Sequence, residues 1–573
     1  MMTKIRRRTR AALPALVGAS ALLAALIPSQ LPAANPVHAA VHAASNHSCV
    51  VFTGAGDTTF TRNFNTFASP LDYTNGGIYE SLYIITTAGG GHIYPWLATN
   101  YAFTDGNKTL LITVRQGVKW SDGQPFTAKD VLFTYTAGRI NAAMDQVDLV
   151  GPDSNIASIN LVGSTQVAVH FKTVDTTSLP TFLSNIKIIP EHIWSKVKNV
   201  TTFTNPNPVG TGPYTEVQKF SGQDYVLGKN PYYWQAGKLA VPCVERTFAS
   251  NNDSATLSLV HGDVDWTHNF VPNVQTVYVR HDPAHFHYYY ATNNTPVGLF
   301  FNDTVYPYSI VNFRKAVSMA LNRPLISQIA EYGYEPPADA TGIAQEWPTW
   351  VDHSLDAQSK ALTTYNPSAA QALLAASGFT LKGGQLYDPK GHKVSAPLNV
   401  VSGFPDFVLA SQLVERELKA LGIDATVTLS PDYNSWANVA NKGFTPHVHW
   451  TYGGVQPYYY YYSFMSKHSY VPTGTDAVAT GNWSRFYSPA ADALFAQYRQ
   501  TTDAGTQHAI TNKLEKIAID QMPTIPIMIG ASWYTYSTLY FTGWPTPQNF
   551  YANGQAGTYP DMSLVLTKLT PVK

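Results

Sequence analysis

The chain has 573 residues, too many for one compact core, so two or three domains are expected. Its 37 basic and 37 acidic residues cancel, and charged residues are only 13% of the chain, which argues against nucleic acid as a partner. Aromatic residues also reach 13%. Such a composition suits an uncharged or amphipathic ligand, although a large aromatic core would produce it equally well.

The N-terminal 44 residues have the organisation of a secretory signal peptide and linker. Basic residues from Lys4 to Arg10 precede an apolar stretch over residues 11–27, and small-residue cleavage sites follow at 37–43. Cleavage is expected near residues 39–44. Since no later run of 18 apolar residues occurs, we expect no second membrane span and an exported chain, periplasmic or at the cell surface.

Residues 94–137 predict a strand, a turn and a capped helix in succession. Leu110, Ile112 and Val114 alternate with more polar neighbours, as in a strand with one buried face. A turn is predicted at residues 122–123. Thr127 stands three residues before Asp130, which is a capping-box arrangement at the start of a helix.

Later segments alternate irregularly between helix and strand, which indicates an α/β fold. Asp253 is predicted to cap a helix ending at Gly262, followed by a strand at 264–266. Asn366 and Pro367 start a helix that Gly378 ends, and further helices are predicted at 312–321, 411–421 and 512–521. A strand is predicted at 423–429. The tyrosine run at 458–462 is interpreted as a strand with alternate rings on opposite faces.

Several of these segments carry family motifs. The string WLATNYAFTDGNKTLLITVRQGVKWSDGQPFTAKDV, within residues 94–137, resembles the family 5 extracellular solute-binding proteins, the oligopeptide-binding-like components of bacterial ABC importers. Further resemblances follow in the family's order, namely PVGTGPY (208–214), NPYYW (230–234), SLVHGDVDW (258–266), FRKAVSMALNR (313–323), YNPSAAQALLAASGF (365–379) and ERELKALGI (415–423). The resemblance covers essentially the whole mature chain.

The resemblance implies a two-lobed, hinged, periplasmic-binding-protein-like α/β fold with an extra inserted subdomain. Lobe I would comprise residues 45–88, 207–296 and 522–573, with the subdomain at 89–206, and lobe II would comprise 297–521. Chain crossings near 293–299 and 521–525 would form the hinge, with the ligand between the lobes. The expected partners are a small oligomeric solute and ABC permease subunits. A monomer without cofactors is expected.

The two cysteines are Cys49 and Cys243. Many family members carry a lipid on a cysteine that follows a Leu-Ala-Gly-like triplet, but Asn46, His47 and Ser48 precede Cys49, which argues against a lipid anchor. In the resembled fold the first strand lies beside the strand near Cys243, so a disulfide between them is expected in an oxidising compartment. Two unpaired buried thiols are the alternative.

Sequence motifs for catalysis are absent. The chain has no HExxH, Cys-x-x-Cys, G-x-S-x-G or P-loop pattern, so we expect a binding protein and not an enzyme. Histidines at 447 and 449, and at 281, 285 and 287, are spaced as possible metal ligands. Paired histidines at period two are more often a packed or solvated face, and no metal site is predicted.

The cargo is suggested by one departure from the family pattern. Peptide binders of this family hold the peptide ammonium with an Asp in a W-x-x-D-Y-like string, whereas residues 447–466 here contain no Asp or Glu. Segments 59–70, 482–498, 522–538 and 541–552 instead resemble the cello-oligosaccharide-binding branch, and sugar sites need aromatic platforms beside neutral polar groups. The predicted ligand-binding residues are Asn63, Asn65, Trp266, Trp450, Tyr452, Gln456, Tyr458, Tyr462, Trp533 and Trp544.

The leading prediction is therefore an oligosaccharide-binding component of an ABC importer, with an oligopeptide or dipeptide carrier as the alternative. A sensory receptor ectodomain or a hydrolase on the same scaffold remains a further class. Trp544 could equally belong to the core of its lobe, and Trp120 is expected to be structural.

Overall fold

The structure is a computed structural model that describes residues 48–573, except 58, 68–76, 87–90, 148, 152–153, 344, 346 and 478–479. The predicted signal peptide lies outside the described residues. Within the described part, none of the helices is both long enough and apolar enough to span a membrane.

A seven-stranded mixed sheet organises the first large core. Its spatial order is β12-β20-β11-β1-β10-β9-β8, and its strands are β1 (Cys49–Thr53), β8 (Tyr214–Phe220), β9 (Asp224–Lys229), β10 (Cys243–Thr247), β11 (Trp266–Thr267), β12 (Phe286–Tyr288) and β20 (Thr535–Ser537). Chain segments that are far apart in sequence therefore meet in one sheet. Strand β20, from the last tenth of the chain, pairs with both β11 and β12.

A four-stranded antiparallel sheet, β4-β5-β7-β6, carries the segment on which the family resemblance is strongest. Its strands are β4 (Ala98–Thr104), β5 (Thr109–Val114), β6 (Ile156–Val162) and β7 (Gln166–Phe171). The predicted strand is present, with Leu110, Ile112 and Val114 buried. The predicted capping box is present as well, since the Thr127 side chain accepts from the backbone of Lys129 and the Asp130 side chain accepts from the Thr127 backbone.

A second large core is built on a three-stranded antiparallel sheet, β18-β13-β19, and on a parallel pair, β16 and β17. These strands are β13 (Ala291–Phe300), β16 (Ser395–Val401), β17 (Asp424–Ser430), β18 (His447–Trp450) and β19 (Ile525–Ser532). Three short pairs complete the strands, namely β2 (Tyr83–Ile85) with β3 (Ile93–Pro95), β14 (Thr380–Lys382) with β15 (Gln385–Tyr387), and β21 (Phe541–Thr542) with β22 (Thr570–Pro571).

Helices cover both cores. They are α1 (Ala128–Thr136), α2 (Glu191–Trp194), α3 (Asn252–His261), α4 (Val274–Val277), α5 (Val311–Ala320), α6 (Arg323–Ala330), α7 (Asp356–Thr363), α8 (Pro367–Ala376), α9 (Pro405–Ala420), α10 (Tyr433–Trp436), α11 (Pro457–Met465), α12 (Pro489–Arg499), α13 (Ala504–Gln521) and α14 (Asp561–Leu566). Helix α8 begins where Asn366 and Pro367 predicted it. The predicted helices at 411–421 and 512–521 are the C-terminal parts of the longer α9 and α13.

Two local predictions were wrong. The N-cap of α3 is Asn251, whose side chain accepts from the backbone of Ser254, and Asp253 lies within the first turn. The tyrosine run at 458–462 is helical and belongs to α11, because Pro457 occupies the first helical turn, where the missing N–H costs nothing. Tyr458 and Tyr462, four residues apart, therefore stack on one another, with ring centroids 5.5 Å apart.

The two cores connect through long strands. Residues of the first core come from 50–244, Trp266 and 534–569, whereas those of the second come from 297–528. Strands β13 and β19 run antiparallel beside each other, with a register shift between Thr292 and Pro296. The chain therefore passes between the cores along adjacent strands. The lobe limits given above remain predictions.

Candidate functional site

A cavity of about 420 Å³ lies between the two cores. Its walls come from three parts of the chain. The first-core side supplies Ala55, Asn252, His268, Asn269, Phe270 and Gln555, the second-core side supplies Glu335, Phe404, Asp406, Phe407 and Trp450, and the crossing segments supply Asn293, Thr295, Val297, Gly530, Ala531 and Trp533. The cavity therefore lies where a relative movement of the cores would change its volume.

Aromatic rings form much of its wall. Trp533 follows β19 directly and packs edge-on against Phe270, with ring centroids 5.2 Å apart. Trp450 is the last residue of β18 and packs against Phe407 at 5.8 Å. Both tryptophans are half-buried, so part of each indole remains accessible in the cavity. Rings of this kind can contact the apolar face of a sugar or an apolar side chain.

Two carboxyl groups also line the cavity. Glu335 accepts a hydrogen bond from the backbone N–H of Ala531 at 2.9 Å through Oε1. Asp406 accepts one from the Asn252 side chain at 3.3 Å. Burial raises the pKa of Glu335 to about 8 and that of Asp406 to about 7, and the nearby charge of Asp406 contributes to the shift of Glu335. The cavity thus contains acidic groups that the 447–466 segment lacks.

Sequence reasoning missed these acids because they come from separate places in the chain. Glu335 follows α6, and Asp406 lies in the first turn of α9. Neither belongs to a recognisable motif. The two acids come together only because α9 and residues 331–335 both pack near the end of β19.

The start of α3 contacts the segment that leads into α9. The backbone N–H of Asn252 donates to the carbonyl of Gly403 at 3.3 Å, and the Asn252 side chain donates to Asp406. These two hydrogen bonds join the first-core side of the cavity to the second-core side. They are therefore placed to favour the conformation in which the cavity is narrow.

Trp266 and Trp544 lie in the first core, away from the cavity. The Trp266 indole N–H donates to the carbonyl of Gly554 at 2.6 Å, and its side chain is 0% exposed. Trp544 packs against it with centroids 5.3 Å apart and donates to the carbonyl of Phe541. Both rings are occupied by packing within the lobe. Trp120 is likewise fully buried, as expected of a structural residue.

Asn63 and Asn65 stabilise a loop. The Asn65 side chain donates to the carbonyls of Val200 and Phe203 at 2.7 and 2.8 Å. The Asn63 side chain accepts from the Asn65 backbone N–H at 3.0 Å. Neither residue is among those that line the cavity.

The remaining predicted residues lie on or near α11. Tyr452 packs against Trp483, with centroids 5.8 Å apart, and Gln456 accepts a hydrogen bond from the Tyr498 hydroxyl at 3.0 Å. Tyr458 and Tyr462 line a separate open groove of about 790 Å³ between residues 149–182 and 458–499. Of the ten predicted residues, the structure therefore places Trp450 and Trp533 together at the cavity between the cores.

Cys49 and Cys243 are direct neighbours in the parallel pairing of β1 with β10, with Cα atoms 4.5 Å apart. The structure joins them by a disulfide, the pairing that the resemblance implied. The bond closes a loop whose ends are 194 residues apart in sequence.

His447 and His449 lie on β18, buried among the rings of Trp436 and Trp483. Burial lowers the pKa of His447 to about 4 and that of His449 well below its ordinary value, so both are neutral at pH 7. Across the described residues, no three His, Cys, Asp or Glu side chains are grouped closely enough to hold a metal ion.

The model of the bacterial extracellular solute-binding proteins, family 5, matches residues 92–470. The chain belongs to this family.

Relatives and solved structures agree with that assignment. A probable ABC transporter-binding protein from Deinococcus radiodurans is 25% identical over 59% of this chain and 61% of the relative, so the chain spans less than two thirds of that protein. The periplasmic murein peptide-binding protein MppA of Escherichia coli is 24% identical over 76% of this chain and 80% of the length of MppA. A periplasmic oligopeptide-binding protein from Thermotoga maritima with mannohexaose bound superposes with a TM-score of 0.80 at 23% identity, covering 91% of this chain and 99% of that one.

These findings confirm the predicted family and the predicted two-lobed α/β fold. A family 5 member is a substrate-binding component of an ABC transporter and not an enzyme. The hydrolase interpretation is therefore set aside. The cello-oligosaccharide branch remains a prediction.

Proposed function

We propose that this family 5 protein captures an oligosaccharide between its two lobes and delivers it to the permease of an ABC importer. The observation that carries the proposal is that Trp450 and Trp533, from different segments, line one cavity between the two cores. Asn252, Asn269 and Asn293 line the same cavity, and neutral amides are the kind of hydrogen-bonding group that a sugar site needs. The lobes would close over the sugar, and the closed form would dock on the permease.

The N-terminal segment completes the proposal. A signal peptide ending near residues 39–44 would export the chain, and the absence of the lipid-attachment pattern before Cys49 favours an unanchored protein. The disulfide between Cys49 and Cys243 suits an oxidising extracytoplasmic compartment.

A thermal-shift panel with matched variants tests the sugar proposal. Cello- and xylo-oligosaccharides should raise the melting temperature, because a ligand at 100 times its Kd adds about 2.7 kcal/mol of apparent stability. Trp450→Ala and Trp533→Ala should each weaken binding by about 1–3 kcal/mol, as at other aromatic stacking sites. Trp350, half-buried and stacked on His508 outside the cavity, supplies the control variant Trp350→Ala. Shifts with peptides and none with sugars would contradict the proposal.

A peptide carrier is the second candidate, and a specific observation favours it. Glu335 and Asp406 place two carboxyl groups in the cavity, which could hold a peptide ammonium in place of the acid missing from residues 447–466. The Escherichia coli relative is named for binding a murein peptide. A short peptide with a free amine therefore belongs in the same panel.

A further inference from the structure

The segment 175–178 joins two parts of the molecule that have separate apolar cores. It follows β7, and its neighbours Phe171 and Phe182 belong to the first core. The residues that it contacts lie on α11 and at the end of α12, two helices whose buried side chains belong to a separate aromatic cluster. The open groove of about 790 Å³ lies between these two parts. Because the two clusters are separate, the contact depends mainly on hydrogen bonds, as is common where parts of a chain move relative to each other.

Thr176 binds the end of α12. Its backbone N–H donates to the carbonyl of Arg499 at 2.9 Å, and its hydroxyl lies 3.1 Å from the same carbonyl and 3.0 Å from the carbonyl of Thr501. The last carbonyls of a helix have no donor within the helix, so they need donors from elsewhere. A residue of the predicted inserted subdomain therefore caps a helix of the predicted lobe II.

Tyr459, on α11, makes a second hydrogen bond to the same segment. Its hydroxyl donates to the carbonyl of Thr177 at 2.7 Å. Burial and the charge of Asp175 raise the pKa of Tyr459, so the hydroxyl stays protonated and remains a donor. Asp175 also orders the segment, since its carboxylate accepts from the Thr177 backbone N–H at 3.1 Å and from the Thr177 hydroxyl at 2.8 Å. This turn holds the Thr176 donors and the Thr177 carbonyl in place for the two helices.

We propose that residues 175–178 form a clasp that holds the predicted inserted subdomain against the predicted lobe II while the solute is enclosed. The inference rests on the proposed function for lobe closure, but it does not depend on whether the solute is a sugar or a peptide. Thr176, Thr177 and Tyr459 do not line the cavity between the cores. The clasp therefore determines how long a solute is retained, and it leaves the choice of solute to the cavity.

Hydrogen exchange in the ligand-free protein tests whether the clasp opens as a unit. Tyr459→Phe removes the hydroxyl that bonds Thr177, but it leaves the Thr176 N–H and its acceptor, the Arg499 carbonyl, in place. If the clasp opens as a unit, the Thr176 amide should still exchange about three- to tenfold faster, as expected for the loss of one hydrogen bond. Mass spectrometry of the peptide spanning 174–180 measures the rate. An unchanged rate would overturn the inference.

The matched control for this experiment lies on the same helix. The Tyr461 hydroxyl donates to the carbonyl of Thr341 at 3.0 Å, and both residues belong to the predicted lobe II. Tyr461→Phe therefore removes a comparable hydrogen bond without touching the clasp. It should leave exchange in the 174–180 peptide unchanged, and acceleration equal to that of Tyr459→Phe would count against the clasp.

Solute retention supplies the second test, with cellotetraose and tetra-alanine as the probes. In stopped-flow fluorescence, Thr176→Val should accelerate dissociation of whichever probe binds about three- to tenfold, because one donor of the clasp is lost. Association should stay within about twofold, since the clasp forms after the solute has entered. The control is Thr173→Val, whose lost hydroxyl donates to the Asn155 side chain at 3.0 Å within the predicted subdomain. Equal dissociation rates in the two variants would overturn the inference.

The two experiments separate this inference from the proposed function. Faster exchange in Tyr459→Phe without any binding of cellotetraose would support the clasp and refute the oligosaccharide function. Binding of cellotetraose with unchanged exchange and unchanged dissociation would support the oligosaccharide function and refute the clasp. A contact that is merely structural would lower the melting temperature of Thr176→Val and leave both rates of solute binding as they are.

Discussion

Acidification should destabilise the protein through His447, and the size of the effect follows from its burial. The folded-state pKa is about 4, compared with an ordinary value of 6.5, because burial disfavours the imidazolium. The unfolded chain therefore takes up a proton near pH 6.5, which the folded chain takes up only near pH 4. Stability contributed by the neutral histidine is present above pH 6.5 and is lost as the pH falls toward 4.

Lowering the pH from 7.5 to 5.0 should therefore reduce the free energy of unfolding by about 2 kcal/mol through His447 alone. His447→Asn removes the titration while retaining a side-chain donor for the carbonyl of Thr445, to which the His447 Nδ1 is 3.2 Å away. The smaller side chain also lowers the free energy of unfolding by an amount that does not depend on pH. This amount cancels when only the change in unfolding free energy between the two pH values is compared. The affected strand, β18, ends at Trp450, so the same acidification should weaken ligand binding.

The assay is denaturant unfolding at both pH values for the wild type and the variant. On acidification, the free energy of unfolding of the variant should fall by about 2 kcal/mol less than that of the wild type. His353→Asn is the control, because this histidine has a side chain that is 78% exposed. An identical pH dependence in the wild type and in His447→Asn would refute the burial argument.

Three further predictions concern the disulfide, the contact across the cavity and the cavity acids. Replacing Cys49 and Cys243 by Ser should lower the unfolding free energy by about 2–4 kcal/mol, measured by denaturation, because the long loop is no longer closed. Asn252→Ala should accelerate ligand dissociation severalfold in stopped-flow measurements, since it removes the side-chain hydrogen bond to Asp406 across the cavity. An unchanged dissociation rate would argue that this hydrogen bond does not help to hold the two lobes closed over the ligand. For a free-amine ligand, affinity should rise about tenfold or more from pH 5.5 to 7.5 as Glu335 and Asp406, with pKa values of about 8 and 7, lose protons. A flat profile by calorimetry would contradict that charge pairing.

Local signals in the sequence predicted local structure well. The alternation around Leu110, the pairing of Thr127 with Asp130 and the Asn366–Pro367 start each depend on interactions within a few residues, and each is present. The prediction that the tyrosine run at 458–462 is a strand was wrong because its composition is compatible with either a strand or a helix. Pro457, placed at the helix start, was the local signal that could have decided it.

The site was less predictable because it is assembled over long distances. Trp450 and Trp533 were identified by their chemistry, but residue type could not distinguish them from Trp266 and Trp544, which fill the first core. Whether an indole faces a cavity depends on which strands pair. Glu335 lay outside every motif, and only the packing of its segment beside Ala531 shows that it borders the cavity.

A crystal structure with the tightest-binding probe would show most directly whether the ligand lies in the cavity between the two cores. We expect ligand density between Trp450 and Trp533, with any ammonium group within about 3 Å of Glu335 or Asp406. Density confined to the groove beside Tyr458 and Tyr462, with the cavity between the cores unchanged, would contradict it.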